Sequence, residues 1–77
     1  MELTIKYFGL IAEITGIEEE KLNIEAPKLG GLIDAITKKY PGLKGRVFQI
    51  AQNKKMVNKE ELVNGAEIAL LPPFSGG

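Results

Sequence analysis

Strict alternation of apolar and polar residues opens the chain. In "MELTIKY" every second residue is apolar, namely Met1, Leu3, Ile5 and Tyr7. A period of two residues is typical of a β-strand that buries one face. The pattern therefore predicts a first strand over residues 1–7.

Two short elements are expected next. "LIAEITG" places Ile14 about one helical turn after Leu10 or Ile11 and ends at Gly16, which predicts one or two helical turns. "EEEKLNIEAP" returns to alternation and stops at Pro27, since proline has no N–H for a strand ladder. Two alternating strands with a short connection predict an antiparallel pair.

The apolar period changes in "LGGLIDAITKKYPG". Its apolar residues follow the i, i+3, i+4, i+7, i+11 spacing of one helical stripe, namely Leu29, Leu32, Ile33, Ile36 and Tyr40. The sequence predicts one long helix that Pro41-Gly42 ends. Its start is weakly marked, because two glycines follow Leu29 and no Ser, Thr or Asp precedes it as a cap.

Further strand patterns fill the second half of the chain. "VFQIAQ", a short returning "MV" and "NGAEIALL" read as strands, with "NKK" as a tight turn, "KEELV" as one helical turn and Asn64-Gly65 as another turn. Four or five strands covered on one face by one long helix make an α+β, two-layer domain. We assign residues 1–71 to this domain and residues 72–77 to an extended C-terminal tail.

Composition narrows the class of function. The 77 residues carry ten basic and ten acidic side chains, so the basic excess of a nucleic-acid binder is missing. With no cysteine and no histidine, the chain lacks disulfides, thiolate nucleophiles, the usual zinc ligands and the commonest general base. Neither a secretory signal nor a membrane-spanning run is recognised. We expect a cytoplasmic protein that is not an enzyme by itself.

The last residues, "LLPPFSGG", form the clearest motif. Pro72 and Pro73 favour extended backbone, so we expect the tail to leave the domain in one direction. Ser75, Gly76 and Gly77 narrow it to almost bare backbone, and six extended residues reach at most ~20 Å. Such a thread can enter a channel in another protein and place its carboxylate at a remote reaction centre. The plainer alternative is a frayed end.

Apolar residues near the tail have two interpretations. Phe74 is a plausible anchor in a partner's pocket, or it packs on its own domain. Phe8, Leu10 and Leu71 form either an exposed patch for a partner or part of the core.

Charged clusters are interpreted mainly as solvated surface. The acidic "EEEK" segment, Glu18–Lys21, is expected as an exposed turn, and Glu60-Glu61 as a solvated face. A basic neighbourhood near the end of the long helix is either solvated or steers an acidic partner; its members are Lys38, Lys39, Lys44 and Arg46.

The tail and two internal segments resemble one known family. "LLPPFSGG" preceded by "NGAEIA", together with "YFGLIAEITG" and "LIDAITKKYPGL", is similar to the small subunit of molybdopterin synthase over essentially the whole chain. The resemblance implies a ubiquitin-like β-grasp fold, in agreement with the predicted order of elements.

The resemblance also implies a chemistry for the tail. In that family the terminal glycine, here Gly77, is adenylated with ATP by a ubiquitin-activating-type adenylyltransferase and then becomes a thiocarboxylate. The tail inserts into the large catalytic subunit, and its sulfur passes to cyclic pyranopterin monophosphate in molybdenum cofactor biosynthesis. The resemblance implies a heterotetramer of two large and two small subunits, and a small subunit that binds no cofactor itself.

Three alternatives stay open. A related sulfur carrier, such as that of thiamine biosynthesis, also ends in Gly-Gly. A ubiquitin-like protein modifier would form an isopeptide between Gly77 and a lysine of another protein. A plain interaction module would leave the tail without chemistry.

Overall fold

The computed structural model of the chain describes residues 2–25, 27–64 and 67–73. Predictions that involve Met1, Ala26, Gly65 and Phe74–Gly77 lie outside these residues. The described elements are β1 (Glu2–Tyr7), α1 (Leu10–Thr15), β2 (Glu19–Asn23), α2 (Leu29–Lys39), a 3₁₀ turn (Pro41–Leu43), β3 (Gln49–Gln52), β4 (Lys55–Val57) and β5 (Glu67–Leu71).

The five strands form one mixed sheet in the order β2-β1-β5-β3-β4. β1 and β5 run parallel at its centre, and the other neighbours are antiparallel, including the predicted β1–β2 pair. A mixed sheet with one long helix on one face is the ubiquitin-like β-grasp fold, so the predicted fold class is confirmed.

The core lies between α2 and the inward face of the sheet. Alternation in β1 and β5 and the stripe of α2 are confirmed, because their inward residues are at most 4% exposed: Leu3, Ile5, Tyr7, Ile68, Leu70, Leu29, Leu32, Ile33 and Ile36. Each fully buried apolar side chain of this size contributes about 1.5–3 kcal/mol relative to exposure. Because burial in these elements is periodic, the strand alternation and the helical stripe can be recognised in the sequence.

The start of α2 is capped by another segment of backbone. Lys28 at the N-cap makes no side-chain capping bond. Instead the N–H of Leu29 donates to the carbonyl of Glu61 at 2.9 Å, and the N–H of Gly30 donates to the carbonyl of Lys59 at 2.9 Å. The free N–H groups of a helix start need such partners. The helix therefore begins without a capping residue because the 59–61 loop supplies the acceptors.

The predicted helical turn in "KEELV" is wrong. Residues 58–62 form a non-helical turn in which Oδ1 of Asn58 accepts the N–H of Glu60 at 2.9 Å. Such local side-chain bonds compete with helix formation. Leu62 then makes an isolated antiparallel bridge with Lys28, which holds the loop beside α2.

Strand β3 begins two residues later than predicted, at Gln49, with Val47 left largely exposed. The predicted tight turn that follows is confirmed. Asn53 and Lys54 have φ values of 49° and 70°, the positive pair of a type I′ hairpin. Asn53 is also held to the start of β5, since its N–H donates to the carbonyl of Glu67 at 2.9 Å.

Candidate functional site at the start of the tail

The predicted tail begins at the centre of the sheet. Leu71, the last residue of β5, pairs with Gln49 of β3. On the other side, the carbonyl of Leu70 accepts the N–H of Phe8 at 3.1 Å, just beyond the end of β1. Strand β5 is therefore hydrogen-bonded on both sides almost to its last residue. The point from which the tail departs is fixed by the sheet.

Two of the predicted tail residues fall within the described part of the chain. Pro72 is partly buried and Pro73 is exposed. Phe74, Ser75 and Gly76, and the predicted reactive carboxylate of Gly77, lie outside the described residues.

Pro72 packs against Gly9, in the loop that joins β1 to α1. We give the name exit loop to residues 8–10, which are the two loop residues and the first residue of α1. Gly9 has φ 56°, in the region that favours glycine. An ideal Cβ at Gly9 would lie only 2.7 Å from Cγ of Pro72. The proline ring therefore occupies the space that a side chain would take at Gly9.

The exit loop also carries exposed apolar side chains. Phe8 is 44% exposed and Leu10 is 48% exposed, whereas Leu71 is partly buried. Of the two interpretations of these residues, the surface patch holds for Phe8 and Leu10. Because Gly9 lies between them in the chain, the patch adjoins the start of the tail.

Three hydrogen-bond donors surround the carboxylate of Glu20, and one of them belongs to Tyr7, the residue that precedes the exit loop in the chain. Oε2 of Glu20 accepts the hydroxyl of Tyr7 at 2.5 Å and the hydroxyl of Tyr40 at 2.7 Å. Oε1 of Glu20 accepts Nζ of Lys39 at 2.6 Å. The two tyrosine rings meet edge-on, with centroids 5.9 Å apart. We name these four residues the Glu20 cluster.

The prediction of an exposed turn for "EEEK" is wrong at Glu20. Its side chain is only 12% exposed, and residues 19–21 belong to β2. The partners that hold Glu20 come from β1 and from the end of α2, which are distant in sequence. No local pattern in a run of three glutamates distinguishes the one that faces these partners.

The electrostatics of the cluster favour one protonation state. Burial alone would raise the pKa of Glu20, but hydrogen bonds from Lys39, Tyr7 and Tyr40 outweigh burial and hold this pKa below its usual value. Burial, followed by the bond to Glu20, raises the pKa of both Tyr7 and Tyr40. The bond to Glu20 raises the pKa of Lys39. At neutral pH the cluster is a charged pair with two neutral hydroxyl donors, which suits a structural role.

The described residues offer little other chemistry. No three His, Cys, Asp or Glu side chains gather there in a way that could hold a metal ion. Among the elements placed by the structure, no helix is long and apolar enough to cross a membrane. In the basic neighbourhood, Lys38, Lys44 and Arg46 are exposed, whereas Lys39 is engaged by Glu20.

Sequence reasoning missed Gly9 as a site residue. The only local signal is a glycine two residues after the end of the first strand. Its importance depends on the parallel pairing of β1 with β5, which brings Pro72 next to it. Alternation predicts each strand but not which strands pair.

Comparisons with known proteins cover nearly the whole chain. A model of the ThiS family matches residues 5–77. The chain is 32% identical over 83 residues to the human molybdopterin synthase sulfur carrier subunit, covering 99% of this chain and 94% of the relative.

Two solved structures are also similar. One belongs to a protein–protein complex of subunits 1 and 2 of the molybdopterin-converting factor from Helicobacter pylori 26695, with 33% identity, 100% coverage of both chains and a TM-score of 0.67. The other is small archaeal modifier protein 1 from Methanosarcina acetivorans, with 28% identity, a TM-score of 0.79, and coverage of 99% of this chain and 96% of that one.

Proposed function

Because the chain belongs to the ThiS family, we propose that it is the sulfur carrier subunit of a molybdopterin synthase. In this proposal the C-terminal carboxylate of Gly77 carries the sulfur. The observation that carries the proposal is the fixed origin of the tail: β5 stays paired on both sides almost to its end and runs directly into Pro72-Pro73. Full-length similarity to a protein named as such a subunit supports it.

The proposed cycle uses the backbone terminus in place of a side chain. A carboxylate is a poor electrophile, so a ubiquitin-activating-type adenylyltransferase first joins Gly77 to AMP from ATP, releasing pyrophosphate. A donor of sulfide-level sulfur then attacks the acyl carbon, the bond to AMP breaks, and AMP leaves a thiocarboxylate behind. Transfer of that sulfur to cyclic pyranopterin monophosphate, with water supplying the replacement oxygen, restores the carboxylate. Since the chain has no cysteine and no histidine, the partners supply the acid–base groups.

The proposed principal partner is a large catalytic subunit, in a heterotetramer of two large and two small subunits. The similar H. pylori structure is itself a complex of two subunits. Exposed Phe8 and Leu10 offer apolar contacts beside the point where the tail would enter the partner. We place this assembly in the cytoplasm, with no role for nucleic acid or membrane.

Intact-mass spectrometry tests the proposed chemistry. The chain is incubated with ATP, an adenylyltransferase of this type and a sulfur donor. We expect the mass change of one oxygen replaced by one sulfur, localised to Gly77 by fragmentation. A matched variant that lacks Gly77 controls for sulfur attached elsewhere. An unchanged mass, under conditions that convert the human subunit, would contradict the proposal.

A second candidate function is protein modification. Similarity to small archaeal modifier protein 1 favours it, with 28% identity and a TM-score of 0.79. This function predicts isopeptide bonds from Gly77 to lysines of other proteins, seen as a ladder of heavier conjugates.

A sulfur carrier of the thiamine type would form the thiocarboxylate but would not convert cyclic pyranopterin monophosphate with the large subunit.

A further inference from the structure

We propose that Gly9 is a positioning residue that sets the direction in which the tail leaves the domain. It does so by presenting Pro72 with a surface that has no Cβ. The inference rests on the proposed function, because the direction of the tail matters only if the tail delivers a group to a partner.

Gly9 and Pro72 lie too close together to leave room for a Cβ at Gly9. A Cβ at Gly9 would lie 2.7 Å from Cγ of Pro72, whereas non-bonded carbon atoms prefer about 3.5–4.0 Å. The proline ring is closed onto its own backbone nitrogen, so Cγ can move only by a change of ring pucker, and Cδ, 3.5 Å from the same Cβ position, keeps the ring against Gly9. A methyl group at Gly9 therefore requires the Pro72 ring to change its pucker or the backbone of one of the two residues to move.

The exit loop is the more firmly held of the two. The N–H of Phe8 donates to the carbonyl of Leu70 at 3.1 Å. The carbonyl of Phe8 accepts the N–H of Ile11 at 3.1 Å, and the carbonyl of Gly9 accepts the N–H of Glu13 at 3.3 Å. These bonds tie the loop to β5 and to α1. Pro72 has no N–H and follows the last paired residue of β5, so we expect Pro72 to be displaced.

The sequence predicts an extended tail, along which a small displacement at Pro72 would grow. Five extended residues span at most about 17 Å, so in such a tail a rotation of ~10° at Pro72 would move the terminal carbon by up to ~3 Å. Misplacement of a reacting group by about 1 Å can slow a reaction by ~100-fold. Within a saturated complex with the large subunit, we expect Gly9→Ala to slow sulfur transfer by ~10- to 100-fold.

Two other glycines provide matched controls. Gly9→Ala combines a positive φ with crowding. Gly45 has φ 80° and nothing within 4 Å of an ideal Cβ, so Gly45→Ala introduces backbone strain alone. Gly42 has an ideal Cβ 2.8 Å from Cγ2 of Ile14, so Gly42→Ala introduces crowding away from Pro72. Neither control touches the contact between the exit loop and the tail.

Pulsed electron paramagnetic resonance measures the direction of the tail. The chain has no cysteine, so spin labels at Lys21→Cys on β2 and Ser75→Cys report a single distance distribution. We expect Gly9→Ala to shift or broaden that distribution, and the variants at Gly42 and Gly45 to leave it unchanged. A distribution for Gly9→Ala that superimposes on that of the unsubstituted chain would overturn the inference.

Pro72→Ala tests whether Gly9 affects the direction of the tail through its contact with Pro72. It also keeps the inference testable if Gly9→Ala does not fold. Removing Cγ of Pro72 removes the atom that a Cβ at Gly9 would meet. Pro72→Ala alone is expected to broaden the distribution. Adding Gly9→Ala to Pro72→Ala is expected to change the distribution less than Gly9→Ala changes that of the unsubstituted chain, because the crowding is gone and only the strain of the positive φ remains. An unchanged distribution for Pro72→Ala, or additive effects in the double variant, would mean that Gly9 does not act through Pro72.

The two proposals fail in different ways. If the unsubstituted chain never acquires sulfur but Gly9→Ala redirects the tail, the proposed function is wrong and the geometric inference stands. If the unsubstituted chain transfers sulfur and a redirected Gly9→Ala variant transfers it at the same rate, the proposed function stands and the positioning role of Gly9 is wrong.

Discussion

Nζ of Lys39, the last residue of α2, lies 2.6 Å from Oε1 of Glu20 on β2. The other oxygen of Glu20 accepts the hydroxyls of Tyr7 and Tyr40. One carboxylate thus joins the end of β1, an edge strand and the end of the long helix. Since Tyr7 directly precedes the exit loop, the Glu20 cluster also fixes the structure from which that loop starts.

Removing the charge of Glu20 is expected to destabilise the fold. Glu20→Gln keeps the shape of the side chain but offers weaker acceptors and leaves Lys39 without its counter-charge. We expect a loss of about 1–3 kcal/mol in the free energy of unfolding, measured by urea titration. Glu19→Gln, at an exposed position on the same strand, serves as the control and is expected to change little. Equal effects for the two variants would contradict a special role for Glu20.

The same cluster predicts a pH dependence. In the folded chain the pKa of Glu20 lies below 4.5, the usual value that the unfolded chain keeps. The ionised side chain of Glu20 therefore makes its full contribution to the free energy of unfolding above pH 4.5. That contribution is lost as the pH falls through the lower, folded-state pKa, because the unfolded chain binds the proton first. The difference in unfolding free energy between the unsubstituted chain and Glu20→Gln should be constant from pH 6 to 8 and shrink below 4.5. A difference that grows in acid would reverse the sign and refute this assignment.

Lys54 is expected to destabilise its turn, because its backbone has a positive φ. Its φ of 70° costs a residue with a Cβ about 1 kcal/mol, a cost that glycine avoids. We predict that Lys54→Gly stabilises the chain by about 0.5–1 kcal/mol in thermal unfolding. Lys55→Gly removes the same side chain from the regular strand β4 and is expected to destabilise. If both variants destabilise, the turn is not under the strain that its dihedral angles indicate.

The exposed ring of Phe8 is expected to matter for association and not for folding. Phe8→Ser leaves the backbone bond from Phe8 to Leu70 intact, so we expect the melting temperature to change little. The affinity for the large subunit, measured by calorimetry, is expected to fall by roughly tenfold. Val47→Ser, at a residue 77% exposed and outside the exit loop, provides the control. Stronger weakening by Val47→Ser would place the interface elsewhere.

Much of the fold could be predicted because burial leaves a periodic trace. Alternation in "ELTIKY" and "EIALL" and the stripe of α2 each reflect a face that the structure buries. The wrong helical turn in "KEELV" reflects a local bond to Asn58, whereas the other main missed features depend on contacts between distant segments. The 59–61 loop caps α2, the partners of Glu20 come from β1 and α2, and Pro72 meets Gly9 through the parallel pairing of β1 with β5.

In the candidate site, too, local sequence predicts one part, the tail, whereas the other part, Gly9, depends on contacts between distant segments. The sequence predicts the tail from its own residue types, since prolines, a serine and terminal glycines favour a thin chain with a preferred direction, and the structure describes Pro72 and Pro73 of it. The sequence did not identify the surface from which that tail starts, because Gly9 acquires its role only when the sheet is assembled.

A single-turnover experiment with isotopically labelled sulfur tests the central claim most directly. The chain is loaded with sulfur at its terminus, purified free of the adenylyltransferase and ATP, and mixed with the large subunit and cyclic pyranopterin monophosphate. The account predicts that the label appears in the pterin product as the mass of Gly77 returns to that of the carboxylate, at matching rates. Label that stays on the chain while product forms, or product that forms equally well with a chain lacking Gly77, would contradict it.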